Sequence, residues 1–487
     1  MGAPQMFIDG KWTPAASGRT YDVPNPATEE TIGSAPDAGV EDLQRAIAAA
    51  KKAFDEGPWP RSTPHERYRV LNRIADALER RKEEMRALLV AESAATYIEH
   101  GIQVDAPIAQ ARGYAELALR FEFEEMLPAR ATMGPMGPQV SSGMVYRQPV
   151  GVCGMIPTWN FPVFVAMQKL APALATGCTM VFKSSPYGPL INLFLAEICA
   201  EADLPPGVVN WVTSQSADVS KALCDDPRID KISFTGSVAT GKAIMAAASK
   251  TLKRVHLELG GKSVGLYLDT DNLQMQAMTA CGPAMFHAGQ GCAMSTRVLV
   301  PADKHDEFVQ VMAGFVSGMV KVGDPADPTV MLGPVIREER RTKIEEYLEA
   351  GKREATLVTG GGRPKDLPKG WFLEPTIFAG VKNDARIARE EIFGPVVSVI
   401  PYKDVDEAVR IANDSTFGLG GGISSSDTGK AIEVAKRIRT GVVWINNGLL
   451  PMTDAPFGGF KESGIGREGG KWGMEEYTEV QQITWRS

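Results

Sequence analysis

The chain predicts an α/β protein with parallel sheets and more than one domain. Three observations carry that expectation. At 487 residues it exceeds what one hydrophobic core serves. Short apolar runs alternate with helical segments from residue 150 onward. A second series of the same kind follows residue 292.

The first third reads as helical. The stretch "TPHERYRVLNRIADALERRKEEMRALLVAESA" opens with Thr63, Pro64 and Glu66, a capping box with proline at the first helical position. Val70, Leu71, Ile74, Leu78, Met85 and Leu88 then recur at helical spacing. From residue 150, "VGVCGMIP", "TMVFKSS", "VVNWVT", "KISFTGS" and "RVHLEL" read as strands. Between them "LINLFLAEICAEA" and "VATGKAIMAAASK" read as helices. In such an architecture ligands bind beyond the carboxyl ends of the strands, with phosphates at a helix N-terminus. The second series comprises "RVLVP", "ATLVTGG", "VVSVIPY" and "GVVWINN", with "DEAVRIAND" a helix among them. The tail "YTEVQQITWRS" alternates like an exposed strand, whose free edge invites pairing with another subunit.

Composition narrows the function. A net charge of −7 and the absence of a Lys/Arg block argue against nucleic acid or membrane surface as partner. The most apolar stretch, 161–182, is interrupted by Gln168, Lys169 and Pro172, which suits a buried helix and strand better than a membrane span. "MGAPQMFIDG" has neither a signal-peptide pattern nor a complete myristoylation pattern, and a cytoplasmic protein is expected. Six scattered cysteines, with no C-x-x-C, suit a reducing compartment, and five histidines without H-E-x-x-H predict no metal site.

Candidate chemistry begins at "FHAGQGCAMSTRV". Cys292 stands among Gly289, Gly291 and Ala293, small residues that would leave its sulfur open to attack. In "HLELGGKS", Glu258 ends an apolar strand, where a lone carboxylate must be paired, protonated or used as a base. In "PTWNFP", Asn160 can donate to an oxyanion or cap the following helix. Lys183 in "VFKSSP" can reach a ribose or phosphate, or be a solvated lysine. "GSVATGKA" nearly spells a phosphate loop, but Ala243 replaces the hydroxyl that Mg²⁺ needs. His287, five residues before Cys292, raises a cofactor-independent cysteine hydrolase with Asn160 as an alternative.

In this order, "PTWNFP", "FTGS", "LELGGKS", "GQGC", "EEIFGPV" and "PFGGFKESGIGREGG" resemble the aldehyde dehydrogenase superfamily, over nearly the whole chain. The resemblance implies a Rossmann-like coenzyme-binding domain (1–125 and 149–260), an α/β catalytic domain (261–463) and a small β oligomerisation element (126–148 and 464–487). It implies a homodimer or homotetramer acting on a small-molecule aldehyde. By matching position, Cys292 would be the nucleophile, Asn160 the oxyanion donor and Glu258 the base for hydrolytic water. Lys169 and Glu468 would relay protons. Ile156, Trp159, Lys183, Gly236, Ser237, Glu391 and Phe393 would bind NAD⁺. Pro186 stands where the family often has a Glu on the adenosine 2′-hydroxyl, which leaves room for NADP⁺. Ser214 likewise replaces a frequent glycine. Phe161, Gln168, Met294 and Phe457 would line a substrate pocket suited to a neutral, apolar or aromatic aldehyde.

Overall fold

In the computed structural model, the described residues are 4–135, 137–446 and 454–486. Two large sheets organise the chain. The first has eight strands, and its parallel centre runs Arg254–Glu258, Lys231–Thr235, Val152–Ile156, Thr179–Lys183 and Val209–Val212 in space. The chain moves from Val152–Ile156 to one side and then returns to build the other. A switch point therefore lies between Val152–Ile156 and Lys231–Thr235, where such sheets bind ligands. Val152–Ile156, Thr179–Lys183 and Val209–Val212 are buried throughout, which is why they read as mostly apolar runs.

The second sheet has seven strands in the order Thr356–Thr359, Thr376–Ala379, Val396–Tyr402, Arg297–Pro301, Val264–Tyr267, Gly420–Ser424 and Val442–Ile445. It is parallel except at the first pair, which is antiparallel. Each large sheet has its own packed cores. A third sheet joins the hairpin Glu124–Gly134 and Gly137–Pro149 to the tail strand Thr478–Arg486, which lies at its edge.

Two expectations need correction. The stretch 63–94 is two helices, Pro64–Arg80 and Lys82–Ser93, broken where Arg81 leaves the helical region (φ −104°, ψ 18°). Arg81 spends its guanidinium on Glu84, Glu197 and Glu201, an anchoring that apolar periodicity does not register. The capping box itself forms: the Thr63 hydroxyl accepts from the Glu66 amide at 3.3 Å, and Glu66 accepts from the Thr63 amide at 2.6 Å. The first third is also not purely helical. Strands Met6–Ile8 and Lys11–Thr13 extend the first sheet, and Thr20–Pro24 pairs with Thr31–Pro36. Strands of three to six residues give too few alternations to read. Gly464–Ile465 pairs with Arg254–Glu258 in the first sheet, so the third sheet's share of the C-terminal segment begins at Thr478. No helix among the described residues is long and apolar enough to cross a membrane.

Candidate active site

The site lies where the carboxyl ends of the first sheet's strands meet segments leading into the second sheet. Ile156, Lys183, Thr235 and Glu258 end adjacent strands of the first sheet. Cys292 precedes strand Arg297–Pro301, and Glu391 and Phe393 precede strand Val396–Tyr402. A cavity of about 1240 Å³ occupies the junction. Cys292, Glu258, Asn160 and Glu468 line it, as do Trp159, Gly236, Ser237, Glu391 and Phe393. Phe161, Gln168, Met294 and Phe457 line it too. Lys169, Lys183 and Ile156 stand outside this lining.

Cys292 is half-buried, while the other five cysteines are buried. Burial, reinforced by the carboxylates of Glu258 and Glu391, pushes its thiol up to about 12; the amides of Cys292 and Ala293 pull the other way. That setting favours the neutral thiol over the thiolate. The neighbouring glycines serve the backbone more than access to the sulfur. Gly289 sits at φ +71°, and a Cβ there would collide with the Gly394 carbonyl. A Cβ on Gly291 would strike the Met294 side chain.

Asn160 caps no helix: the N-cap of Pro162–Thr176 is Phe161, without a side-chain bond. Instead Asn160 Nδ2 donates to the Gln290 backbone carbonyl at 2.7 Å, and the Asn160 backbone carbonyl accepts from Gln103 Nε2 at 2.9 Å. One amide hydrogen remains for an incoming oxyanion. Gln290 is fixed in turn, since its Oε1 accepts from the Ile336 amide at 2.9 Å. Gln103 and Gln290 escaped the sequence reading of roles, although Gln290 lies inside the "GQGC" motif.

Glu258 is 2% exposed, and neither carboxylate oxygen has a hydrogen-bond partner among the described residues. Burial and then Glu468 raise its pKa well above the usual carboxylate range, against a lowering pull from Lys169. Lys169 and Glu468 form a buried ion pair at 2.7 Å. A buried carboxylate kept largely neutral, unpaired and facing a cavity is the signature of a base tuned toward neutrality.

Also lining the cavity, Trp159 and Phe393 meet edge to face at 5.6 Å. Phe393 holds φ +58°. Glu391 accepts from the Gly261 amide at 2.9 Å, and burial raises its carboxyl to about 7. Ser237 is the N-cap of helix Val238–Ala248, and its hydroxyl accepts from the Thr240 amide at 3.2 Å. Lys183 is 4% exposed, with no hydrogen bond or ion pair among the described residues. It is not the solvated lysine that composition allows. Burial lowers its ammonium to about 8. Ser214, in contrast, turns away into packing, donating to the Ala38 carbonyl at 2.8 Å.

His287 is no base for Cys292. Its Nδ1 pairs with Glu99 at 2.7 Å, both side chains buried, and the residue does not line the cavity. The hydrolase expectation loses its base, since His287 is turned to Glu99 and not to the cavity.

Comparison with known proteins agrees with this geometry. Residues 12–483 match the model of the aldehyde dehydrogenase family. The chain is 41% identical over 479 residues to a geranial dehydrogenase of Castellaniella defragrans, covering 98% of both. It is 39% identical to a betaine aldehyde dehydrogenase of Bacillus subtilis, covering 98% of this chain and 96% of that one. Among solved structures, betaine aldehyde dehydrogenase from Staphylococcus aureus in complex with NAD⁺ superposes with TM-score 0.95 at 36% identity, covering 99% of this chain and 94% of that one. An aldehyde dehydrogenase of Mycobacterium tuberculosis complexed with NAD⁺ gives 0.92 at 39% identity, covering 99% and 98%. With Cys292, Glu258 and Asn160 on one cavity and the match running over nearly the whole chain, the chain belongs to the aldehyde dehydrogenase family.

Proposed function

We propose that this enzyme oxidises a neutral, apolar or aromatic aldehyde to the carboxylic acid with NAD⁺, through covalent intermediates on Cys292. The observation that carries the reading is the convergence of Cys292, Asn160 and an unpartnered Glu258 on one cavity. Glu258 is the carboxylate whose charge most raises the Cys292 thiol, so it is the group placed to take the thiol proton as sulfur attacks. The free amide hydrogen of Asn160 and the amide of Cys292 hold the oxygen of the resulting thiohemiacetal. NAD⁺, when bound, supplies the hydride acceptor that converts this adduct to a thioester. Once Glu258 has released that first proton, it takes another from water as the water attacks the thioester; the C–S bond breaks and the acid leaves Cys292 free.

The residues present fit the cofactor. Lys183, a buried ammonium without a partner, and Glu391 suit ribose hydroxyls. Gly236 and Ser237 open a helix whose N-terminus suits a pyrophosphate. Trp159 and Phe393 provide apolar surface in the cavity, with Ile156 at the strand end behind its lining. Pro186 offers no carboxylate to repel a 2′-phosphate, so NADP⁺ remains open to this site as a second cofactor.

Substrate class rests on the other half of the cavity. Phe161, Val165 and Met294 form a buried apolar cluster, packed by Ile102, Phe164 and Phe286. Arg340 is the sole lysine or arginine in the cavity lining among the described residues, and its guanidinium lies by Phe393, on the cofactor side. A carboxylate on the substrate finds no counter-charge among the apolar residues. The test is a ranking of kcat/KM for octanal, benzaldehyde, betaine aldehyde and succinic semialdehyde with each nicotinamide cofactor. The neutral aldehydes are expected to lead by about ten-fold or more, the worth of one or two kcal/mol of pocket discrimination. Succinic semialdehyde in the lead would reject the substrate assignment while leaving the chemistry intact.

A further inference from the structure

Behind the base stands a histidine with no role in the scheme above. His256 and Glu258 are two residues apart on one strand, so their side chains share a face. His256 is 1% exposed. Its Nε2 lies 3.6 Å from Glu258 Oε1, and its Nδ1 lies 3.7 Å from Glu468 Oε1. One imidazole thus bridges two buried carboxylates, each contact slightly longer than a hydrogen bond. Both oxygens of Glu258 and Nε2 of His256 lack any other partner among the described residues. Space for the ring is made opposite: a Cβ on Gly466 would press on His256 Cδ2, and Gly466 adopts φ +91°.

We propose that His256 carries the proton from Glu258 to Glu468 during thioester hydrolysis. The proposal rests on the reading of Glu258 as the base. Water loses a proton to the Glu258 carboxylate as its oxygen bonds the thioester carbon. The C–S bond then breaks and its electron pair returns to Cys292. Glu258 gives its proton to the lone pair of His256 Nε2, and the ring releases the proton on Nδ1 to the Glu468 carboxylate. Glu468 lines the cavity and passes the proton to solvent once product has left. Transfer back through the ring, or rotation of the ring, restores the first tautomer.

The surroundings favour that tautomer and that charge state. Ser233 Oγ, on the paired strand, stands 3.3 Å from Nδ1 and can accept its proton. Burial, and after it the positive charges of Lys169, Lys231 and Arg467, disfavour the protonated ring. Lys231 is itself paired with Glu476 at 2.8 Å. A neutral imidazole between carboxylates accepts a proton transiently without trapping it. His256 acts through Glu258 and touches no substrate atom, so it is a positioning and proton-handling residue rather than a catalytic one.

Rapid-quench single turnover with octanal and NAD⁺ separates the two half-reactions, reading reduced nicotinamide for acylation and intact mass for acyl-Cys292. In His256→Gln, acylation should stay within about two-fold while acyl-enzyme decay slows about ten-fold or more, the lower range of a proton-transfer contribution. Added imidazole should restore part of the decay rate, and the pH profile of decay should shift while that of acylation does not. Ser233→Ala, a smaller change, should slow decay in the same direction and serves if the glutamine variant does not fold. Decay at the wild-type rate, or acylation and decay falling together, would overturn the proposal. Absence of acyl-Cys292 in the wild type would instead reject the underlying reaction.

Discussion

At the scale of single residues, the site depends on groups whose ordinary chemistry burial has altered. Asn160 is held at its backbone carbonyl by Gln103 and at its side-chain amide by Gln290, so in the proposed mechanism it meets an oxyanion without reorganising. Asn160→Ala should lower kcat by about 10²–10³, the cost of one oxyanion donor, with a smaller change in KM. The Cys292 thiol and the Glu258 carboxyl are both raised, and in the proposed mechanism both work deprotonated. Activity should therefore climb as pH rises through neutrality into the alkaline range, and kcat/KM against pH checks it. A flat profile would mean that neither group ionises in the limiting step. These residues were legible because motif and strand position mark them. Gln103 and His256 were not, since nothing in a linear sequence says that position 103 reaches position 160, or that 256 lies near 468.

At the scale of elements, one helix start depends on a distant carboxylate. Helix Pro189–Ala200 has Gly188 at its N-cap and no side-chain cap of its own. Glu92, from helix Lys82–Ser93, accepts from the amides of Leu190 and Ile191, each at 2.8 Å. Burial raises this carboxyl to about 7 despite those bonds. Since folding disfavours its ionised form, the group lowers stability as pH rises from its unfolded value near 4.5 toward 7. Glu92→Gln should thus become progressively more stable than wild type over that range, whereas Glu92→Ala should lose about 1–3 kcal/mol through orphaned amides. Urea midpoints at several pH values measure both. The central strands of both sheets were visible as apolar runs, whereas the break at Arg81 and the short N-terminal strands were not. Ion pairs made across the fold, and strands too brief to show a period, leave no local pattern.

At the scale of the whole molecule, the third sheet leaves an edge. The tail strand Thr478–Arg486 is exposed from Glu479 onward, with Val480 65% and Trp485 41% exposed. Exposed apolar side chains on a free strand edge invite a second copy of the chain, in keeping with the homodimer or homotetramer proposed. Truncation after Tyr477 should reduce the mass seen by light scattering while leaving the two large sheets intact by circular dichroism. An unchanged mass would place the subunit interface elsewhere. The tail's alternation was readable in sequence, but its pairing with a hairpin more than 300 residues earlier was not. The switch point is likewise a property of strand order, which emerges only when the sheet is assembled.

The central claim, oxidation through a thiol, is tested most directly by mixing enzyme, octanal and NAD⁺ and following absorbance of the reduced nicotinamide, with Cys292→Ala in parallel. The wild type should reduce NAD⁺ and yield one octanoate per reduced cofactor, and the variant should yield neither. Reduction that survives in Cys292→Ala, or octanoate formed without reduction, would contradict the account.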